Sequence, residues 1–418
     1  MTSIEPLSIG IRYGYDYSMI AYYDTKARLP VIIKDENDNQ TIQSCLYVED
    51  CEDNPEEIAV YFGNQAIEFG EENVLRGITP TNKNVYSFNS SNQSSQQFSR
   101  EDVTYHIINH LLQKVKEKVG DKDIGRVCLS VPYDLYGNRQ KELTDACVKA
   151  GIKRENVEII HTVATTLMMY KRCYDKFSKK GLLRRENTIV VVDLNEDGID
   201  CFCCRLVTDD IDDKNYIDSV LKVVTRTHDE SVSGKRIKII LGELIFRKIN
   251  EILKADNKRE IDYDEFFSIN QMAEGEEVEE KLNAINHFWN EVEIAKKRLW
   301  KGVPIPVSPP HFLQGCDPHL ITSGMIKKED AIEVLEKEGV FEKIEKIIKA
   351  CVNQTGLKRK KINHCLFMGE TAAAPFFKEN ILSRFPRDTQ TTHNEEIYKF
   401  LLESVDVEAA TYRANYMK

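Results

Sequence analysis

From Ile124 onward the chain alternates short apolar, β-branched runs with segments of helical periodicity, and no other feature restricts its fold as much. Ile124–Val131 reads as a buried strand, residues 137–150 as a helix, Val157–His161 as a strand and residues 162–174 as a helix. Residues 188–192, ended by Asp193, and residues 198–206 read as two further strands. Strands that are apolar on both faces need helices above and below them, so the expected class is α/β with buried sheets. Residues 233–253 and Glu276–Trp300 read as long helices, the second with Leu282, Ile285, Phe288, Val292, Ala295 and Leu299 on one stripe. The charged stretch 256–280 is expected to be an exposed subdomain or helix pair. Helices over 327–354, 373–383 and 406–417 and a strand over 364–367 complete the reading.

Before that alternation lies a strand, a glycine turn and a strand over residues 8–24, then short strands at 42–48 and 58–62. Residues 82–99 are rich in Ser, Asn and Gln and read as a loop or mobile edge. Ser99 has the character of a helix N-cap, with Glu101 and Asp102 opening a helix that runs to Val119. A second strand-turn-strand lies near residue 195. Two such hairpins in two α/β halves would face each other across a cleft. The expected division is 1–186 and 187–418, with a charged helical subdomain at about 230–310.

Charge and cysteine content narrow the function classes. The net charge is −11, which disfavours a nucleic-acid binder, since phosphate neutralisation needs basic surface. No apolar run approaches the ~20 residues of a membrane helix, and no signal peptide is read at the N-terminus. The eleven cysteines are odd in number, and Cys128, Cys201, Cys203 and Cys365 sit in apolar, strand-like contexts. Reduced thiols acting as small hydrophobes are expected, and with them a cytoplasmic location. Zinc is the alternative, but neither Cys201, Cys203 and Cys204 nor His311, Cys316 and His319 has the paired spacing of a finger or ribbon. His161, beside Thr162 and Thr165, lacks a nucleophile in a motif context and reads as structural. Trp289 and Trp300 read as packing residues.

Five stretches then carry a resemblance. They are Val127-Cys-Leu-Ser-Val-Pro with its Arg139-Gln helix and Ala150-Gly-Ile turn, Ile159-Ile-His-Thr-Val-Ala-Thr-Thr-Leu, Glu293-Ile-Ala-Lys-Lys-Arg-Leu, Leu366-Phe-Met-Gly-Glu-Thr, and Asp406-Val-Glu-Ala-Ala-Thr-Tyr-Arg-Ala. In this order and spacing they resemble the ATPase domain of the seventy-kilodalton heat-shock chaperones, within the actin-like superfamily. The resemblance implies a two-lobed actin-like ATPase fold, with duplicated mixed sheets and flanking helices around a central nucleotide cleft. It implies ATP or ADP with Mg as the ligand. As partners it implies exchange factors, J-domain proteins or full-length chaperones, with no nucleic acid and no membrane. The family's peptide-binding sandwich and lid are expected to be absent. Carried over position by position, it assigns nucleotide binding to Gly10, Gly14 and Asp16 in a first loop and to Asp193, Asn195 and Gly198 in a second. Gly234, then Glu293, Lys296 and Lys297 on a nucleoside-side helix, and Gly369 complete the set.

Departures from the family pattern gather where phosphate chemistry would occur. Arg12 stands for the metal-side carboxylate, and Tyr15 and Asp16 stand for two hydroxyl residues. Asp193-Leu-Asn-Glu-Asp-Gly replaces a glycine-rich loop, Thr162 replaces the catalytic-side glutamate, and Lys235 and Arg236 replace acids. Glu370 and Ala373 replace a glycine and the adenine-stacking arginine, and Trp300 a small polar residue. Glycines let backbone N–H groups approach a phosphate, whereas a carboxylate there repels it by about 4 kcal/mol per charge pair at 4 Å and an effective dielectric of 20. The expectation is a chaperone-type nucleotide-binding-domain protein with a degenerate ATP site, no assigned catalytic residue or metal ligand, and a binding or regulatory role. The alternatives are an active ATPase whose Glu196 and Asp197 help hold a divalent ion, and an actin-like filament protein. Arg12 is expected to pair with Asp193 or Asp197 across the cleft.

Overall fold

Leu7–Tyr13 (β1) and Tyr17–Asp24 (β2) fold back on each other through Gly14, where a Cβ would lie 2.7 Å from the carbonyl oxygen of Tyr17. The structure, a computed structural model, describes residues 5–15, 17–35, 37–50, 58–67, 74–76, 85–89, 95–120, 122–177, 186–195, 198–207, 221–255, 257–268, 276–307, 324–356, 362–368, 375–383, 390–391 and 405–416. The chain forms a mixed α/β protein of two compact units. One comprises residues 1–186, 207–222 and 394–418, the other residues 187–206 and 223–393, so the last helix folds with the first unit.

In the first unit Leu29–Ile32 (β3) continues the antiparallel meander and Ile42–Gln43 (β4) pairs with β2. Cys45–Asp50 (β5), Ile58–Phe62 (β6) and Leu75–Arg76 (β7) make a side sheet that includes the short helix Asn64–Ile67 (α1) in its connection. Val85–Asn89 (β8) and Ser95–Ser99 (β9) pair antiparallel, so part of the polar stretch read as a loop is a hairpin. Strand pairing is made by the backbone, and Val85, Tyr86, Phe88 and Phe98 are strand formers that the surrounding Ser, Asn and Gln obscured. Ser99 then caps Arg100–Val119 (α2): its hydroxyl accepts the Asp102 N–H at 3.1 Å while the Asp102 carboxylate accepts the Ser99 N–H at 3.2 Å.

Ile124–Val131 (β10) and Val157–His161 (β11) add parallel to β1, giving the order β11-β10-β1-β2-β3. The helix expected over 137–150 starts earlier, as Tyr133–Asn138 (α3), and restarts as Gln140–Lys149 (α4) after Arg139 leaves helical geometry. Arg139 is buried and donates from Nε to Glu142 at 2.8 Å. Thr162–Phe177 (α5) follows.

Strand alternation sends Ile9, Ile11, Tyr13, Val127, Leu129 and Val131 to the face covered by Val103, Ile107, Leu111 and Val115 of α2. Gly10 points to the other face. There a Cβ would overlap the backbone nitrogen and hydroxyl of Thr411 and the carbonyl of Val407, both in the C-terminal helix, residues 405–416. Val407 packs with Met19 and Ala21, and Ala410 and Ala414 with Cys128 and Ile160.

The second unit repeats the scheme. Glu186–Leu194 (β12), Ile199–Val207 (β13) and Leu221–Asp229 (β14) come first, and His364–Met368 and Gln390–Thr391 later add parallel on the far side of β12. Between them run Gly234–Ala255 (α6), Tyr263–Phe267 (α7), Glu276–Trp300 (α8), a hairpin of Ile305–Val307 (β15) and Gly324–Ile326 (β16), Lys328–Lys337 (α9) and Val340–Gln354 (α10). The two parallel strands are β17 and β18, the helix Pro375–Leu382 between them is α11, and the C-terminal helix Val405–Tyr416 is α12. The order β14-β13-β12-β17-β18 matches β3-β2-β1-β10-β11 strand for strand. The helix expected over 327–354 is divided because Gly339 takes a left-handed conformation, φ 69°. Of the charged stretch 256–280, the described part holds α7, whose Tyr263, Phe266 and Phe267 pack on Phe246. Phe288, Val292, Ala295 and Leu299 of the predicted stripe are buried, whereas the side chain of Leu282 lies outside the described set.

Gly10→Ala is expected to lower stability by about 2–3 kcal/mol, because α12 must shift to admit one methyl group. Gly137→Ala, where nothing lies within 4 Å of the added carbon, is expected to be neutral or slightly stabilising. Thermal melts of the two variants check this.

Candidate functional site

In each unit a hairpin bears some of the predicted nucleotide residues on its strands and turn, Gly10 and Gly14 in the first and Asp193, Asn195 and Gly198 in the second. In the first unit Gly10 lies inside β1 under α12, and Gly14 makes the turn to β2. Both glycines are therefore required by close backbone or helix approach. Asp16 lies outside the described residues. The Arg12 guanidinium stands 4.4 Å over the ring of Tyr17, a cation–π contact within the same hairpin.

At the end of β11 the imidazole Nδ1 of His161 accepts the Ala164 N–H at 3.1 Å and so caps α5. The edges of Tyr133 and Tyr136 meet the ring, with centroids 5.0 and 5.2 Å away. Burial pushes its pKa down to about 4, so the ring is neutral at pH 7 with its proton on Nε2. Thr162 is buried beside it, and the Thr165 hydroxyl donates to the Thr162 carbonyl at 2.7 Å. His161 is thus a structural cap, as its sequence context suggested.

In the second unit Asp193 is buried near the end of β12, in register with Met368 of β17. Asn195 closes the turn. Its N–H donates to the Gly198 carbonyl at 2.9 Å, and its own carbonyl accepts the Gly234 N–H at 2.8 Å. The hairpin is thereby tied to the first residue of α6, where the Ser233 hydroxyl accepts the Arg236 N–H at 3.1 Å. Gly198 lies against β14: a Cβ there would stand 2.8 Å from the His228 ring and 3.1 Å from the Asp229 carbonyl. Asp200, buried on β13, accepts from Arg226 Nε at 2.7 Å and pairs with His228 Nδ1 at 3.1 Å. Asp200 is the centre of a cross-strand ion pair between β13 and β14.

Glu293, Lys296 and Lys297 lie near the end of α8. The Lys296 ammonium is 3.0 Å from Glu293, and Lys297 and Lys238 of α6 are each 3.9 Å from the same carboxylate. Lys296 is only 1% exposed, so this is more than surface pairing on a charged helix. Lys238 sits just past the first turn of α6, so the hairpin, the start of α6 and the end of α8 converge on one region of this unit. Trp300 packs with ring centroids 4.9 and 5.4 Å from Phe376 and Phe377. Glu196, Asp197, Gly369, Glu370 and Ala373 lie outside the described residues. Arg236 pairs with Glu338 at 3.4 Å.

The sequence reading passed over Arg226, His228 and Lys238. The alternation Val224-Thr-Arg-Thr-His does carry the strand signal that would have placed the first two beside Asp200. Among the described residues no three His, Cys, Asp or Glu side chains group as a cation site, and no helix is long and apolar enough to cross a membrane. Comparison of the sequence with models of known families and with curated proteins finds no match.

Folding stability is expected to fall as pH drops from about 6.5 to about 4, because the unfolded chain binds a proton at residue 161 that the native cap refuses. The loss is on the order of 2 kcal/mol. His161→Asn keeps a capping oxygen and removes the titration. Urea midpoints measured across this pH range are expected to show a flatter slope for the variant than for the parent chain.

Proposed function

We propose that the chain is a divergent, two-lobed nucleotide-binding-domain protein of the actin-like type. It follows the motif order of the seventy-kilodalton heat-shock chaperones and acts as a binding or regulatory module of a chaperone system instead of an ATP hydrolase. The observation that carries this reading is the repeated strand order, β3-β2-β1-β10-β11 and β14-β13-β12-β17-β18, each set opening with a hairpin whose turn bears the motif positions. The five resembling stretches support it, since they fall on β10 to α4, β11 to α5, the end of α8, the end of β17, and α12.

The degenerate character of the site is supported by what its residues already do. A triphosphate and its hydrated metal need open backbone amides and a carboxylate facing water. Here the Gly234 N–H is taken by Asn195, the free side of Gly198 is filled by His228, and Asp200 is neutralised by Arg226. The described residues do not fit that group. The partner class follows from the resemblance: an exchange factor, a J-domain protein or a full-length chaperone.

Calorimetric titration with millimolar MgATP, paired with a phosphate-release assay, tests the reading. No saturable heat and no release above buffer are expected, while the immobilised chain retains a purified full-length chaperone or J-domain fragment. Saturable heat with turnover would establish the remodelled ATPase instead, and failure to retain any of these partners would remove the regulatory role.

A further inference from the structure

Between the start of α6 and the end of α8 the second unit presents a face that is both apolar and basic. Lys238 of α6 meets Glu293 of α8 at 3.9 Å, and one turn along, the Trp289 ring stands 2.7 Å from where a Gly242 Cβ would be. Numbers rise on α6 as they fall on α8, so the two helices are antiparallel. Glycine is a poor choice inside a 22-residue helix, and the indole that enters beside Gly242 explains it. Successive helical residues turn by about 100°. The residues after Lys238 and Glu293 therefore turn out of the interface to the same side, because the helices run in opposite directions. They are Ile239 and Ile294, 37% and 51% exposed, whereas Ile237 and Val292, which turn the other way, are buried. One exposed isoleucine needs no explanation, but these two flank a single contact between helices. The charge there is uneven. The Glu293 carboxylate stands 3.0 Å from Lys296 and 3.9 Å from both Lys238 and Lys297. Three ammonium groups thus meet one carboxylate, a positive excess on a chain of net charge −11. Lys296 is buried and makes the short contact, so Lys238, partly exposed, and Lys297, 53% exposed, keep their charge toward solvent.

We propose that this face of α6 and α8 docks an amphipathic, acidic helix of a partner protein. Apolar side chains of the partner, spaced i, i+3 or i+4, seat between Ile239 and Ile294, and its flanking carboxylates meet Lys238 and Lys297. Two antiparallel helices leave a furrow between them that a third helix fills by ordinary ridge packing. An anionic lipid surface fits less well, since Glu293 would face its headgroups and only two apolar side chains would enter it. Nucleic acid would set phosphates opposite exposed isoleucines. The inference stands on the packing and charge of the second unit and does not depend on the chaperone resemblance.

The probe is a fluorescein-labelled synthetic peptide of about four helical turns, with leucines at i, i+3 and i+4 spacing and glutamates on both flanks. It is titrated with the full chain and followed by fluorescence anisotropy. Saturable binding that weakens as salt rises is expected. Affinity is expected to fall about tenfold or more in Ile294→Asp and in the double variant Lys238→Gln with Lys297→Gln. A peptide with lysine in place of every glutamate is expected to bind at least about tenfold more weakly, a comparison that needs no variant to fold. Absence of saturable binding would overturn the proposal, as would equal affinity for the lysine peptide or affinities that the variants leave unchanged. Displacement of the peptide by millimolar MgATP would assign the lysines to a nucleotide instead. Capture by phosphatidylserine vesicles that Ile294→Asp abolishes, with no peptide binding, would assign the face to a membrane.

Discussion

The contact of Gly10 with α12 is the constraint on which the first unit depends. One face of its sheet is closed by α2, and the other by a helix that lies almost at the end of the sequence. The approach is so close that Thr411 and Val407 occupy the space of a Cβ. Arg413 then clamps the helix to the sheet with Nε–H and Nη2–H bonds to Glu158 on β11, at 2.8 to 3.0 Å. Small residues on α12, Ala409, Ala410 and Ala414, keep the separation short along its length. The first unit is incomplete until residues 405–416 arrive, so its folding waits on a contact of very long sequence separation.

Polar residues in the second unit obey a related rule. A buried charge or N–H must be paired, and Asn195, Gly234, Asp200, Glu293 and Lys296 are each paired with a neighbour of their own unit. Asn195 serves both Gly198 and Gly234, Asp200 serves Arg226 and His228, and Glu293 serves Lys296 with Lys238 and Lys297 nearby. The consequence is that these groups hold a hairpin to a helix and one helix to another within the second unit.

Much of this was legible in the sequence where the signal is physical and local. The limits of β10 and β11, the Ser99 cap and the stripe on α8 follow from burial on both strand faces, an acceptor before a helix and 3.6-residue periodicity. The hairpin of β8 and β9 was obscured by its polarity, because backbone pairing leaves no hydrophobic trace. The breaks at Arg139 and Gly339 depend on single residues inside stretches of good helix formers. Within the site, sequence showed which residues change but not where their side chains go. That Asp200 is neutralised from β14, or that Gly10 is required by a helix about four hundred residues away, is a tertiary fact with no local signature.

On the proposed reading, the amides of Asn195 and Gly234 are already occupied by contacts within the second unit. Backbone hydrogen exchange at the amides of Asn195 and Gly234 measures this directly. Both are expected to be strongly protected in the chain alone and unchanged by millimolar MgADP. Amides that exchange freely in the chain alone and become protected when MgADP is added would contradict it.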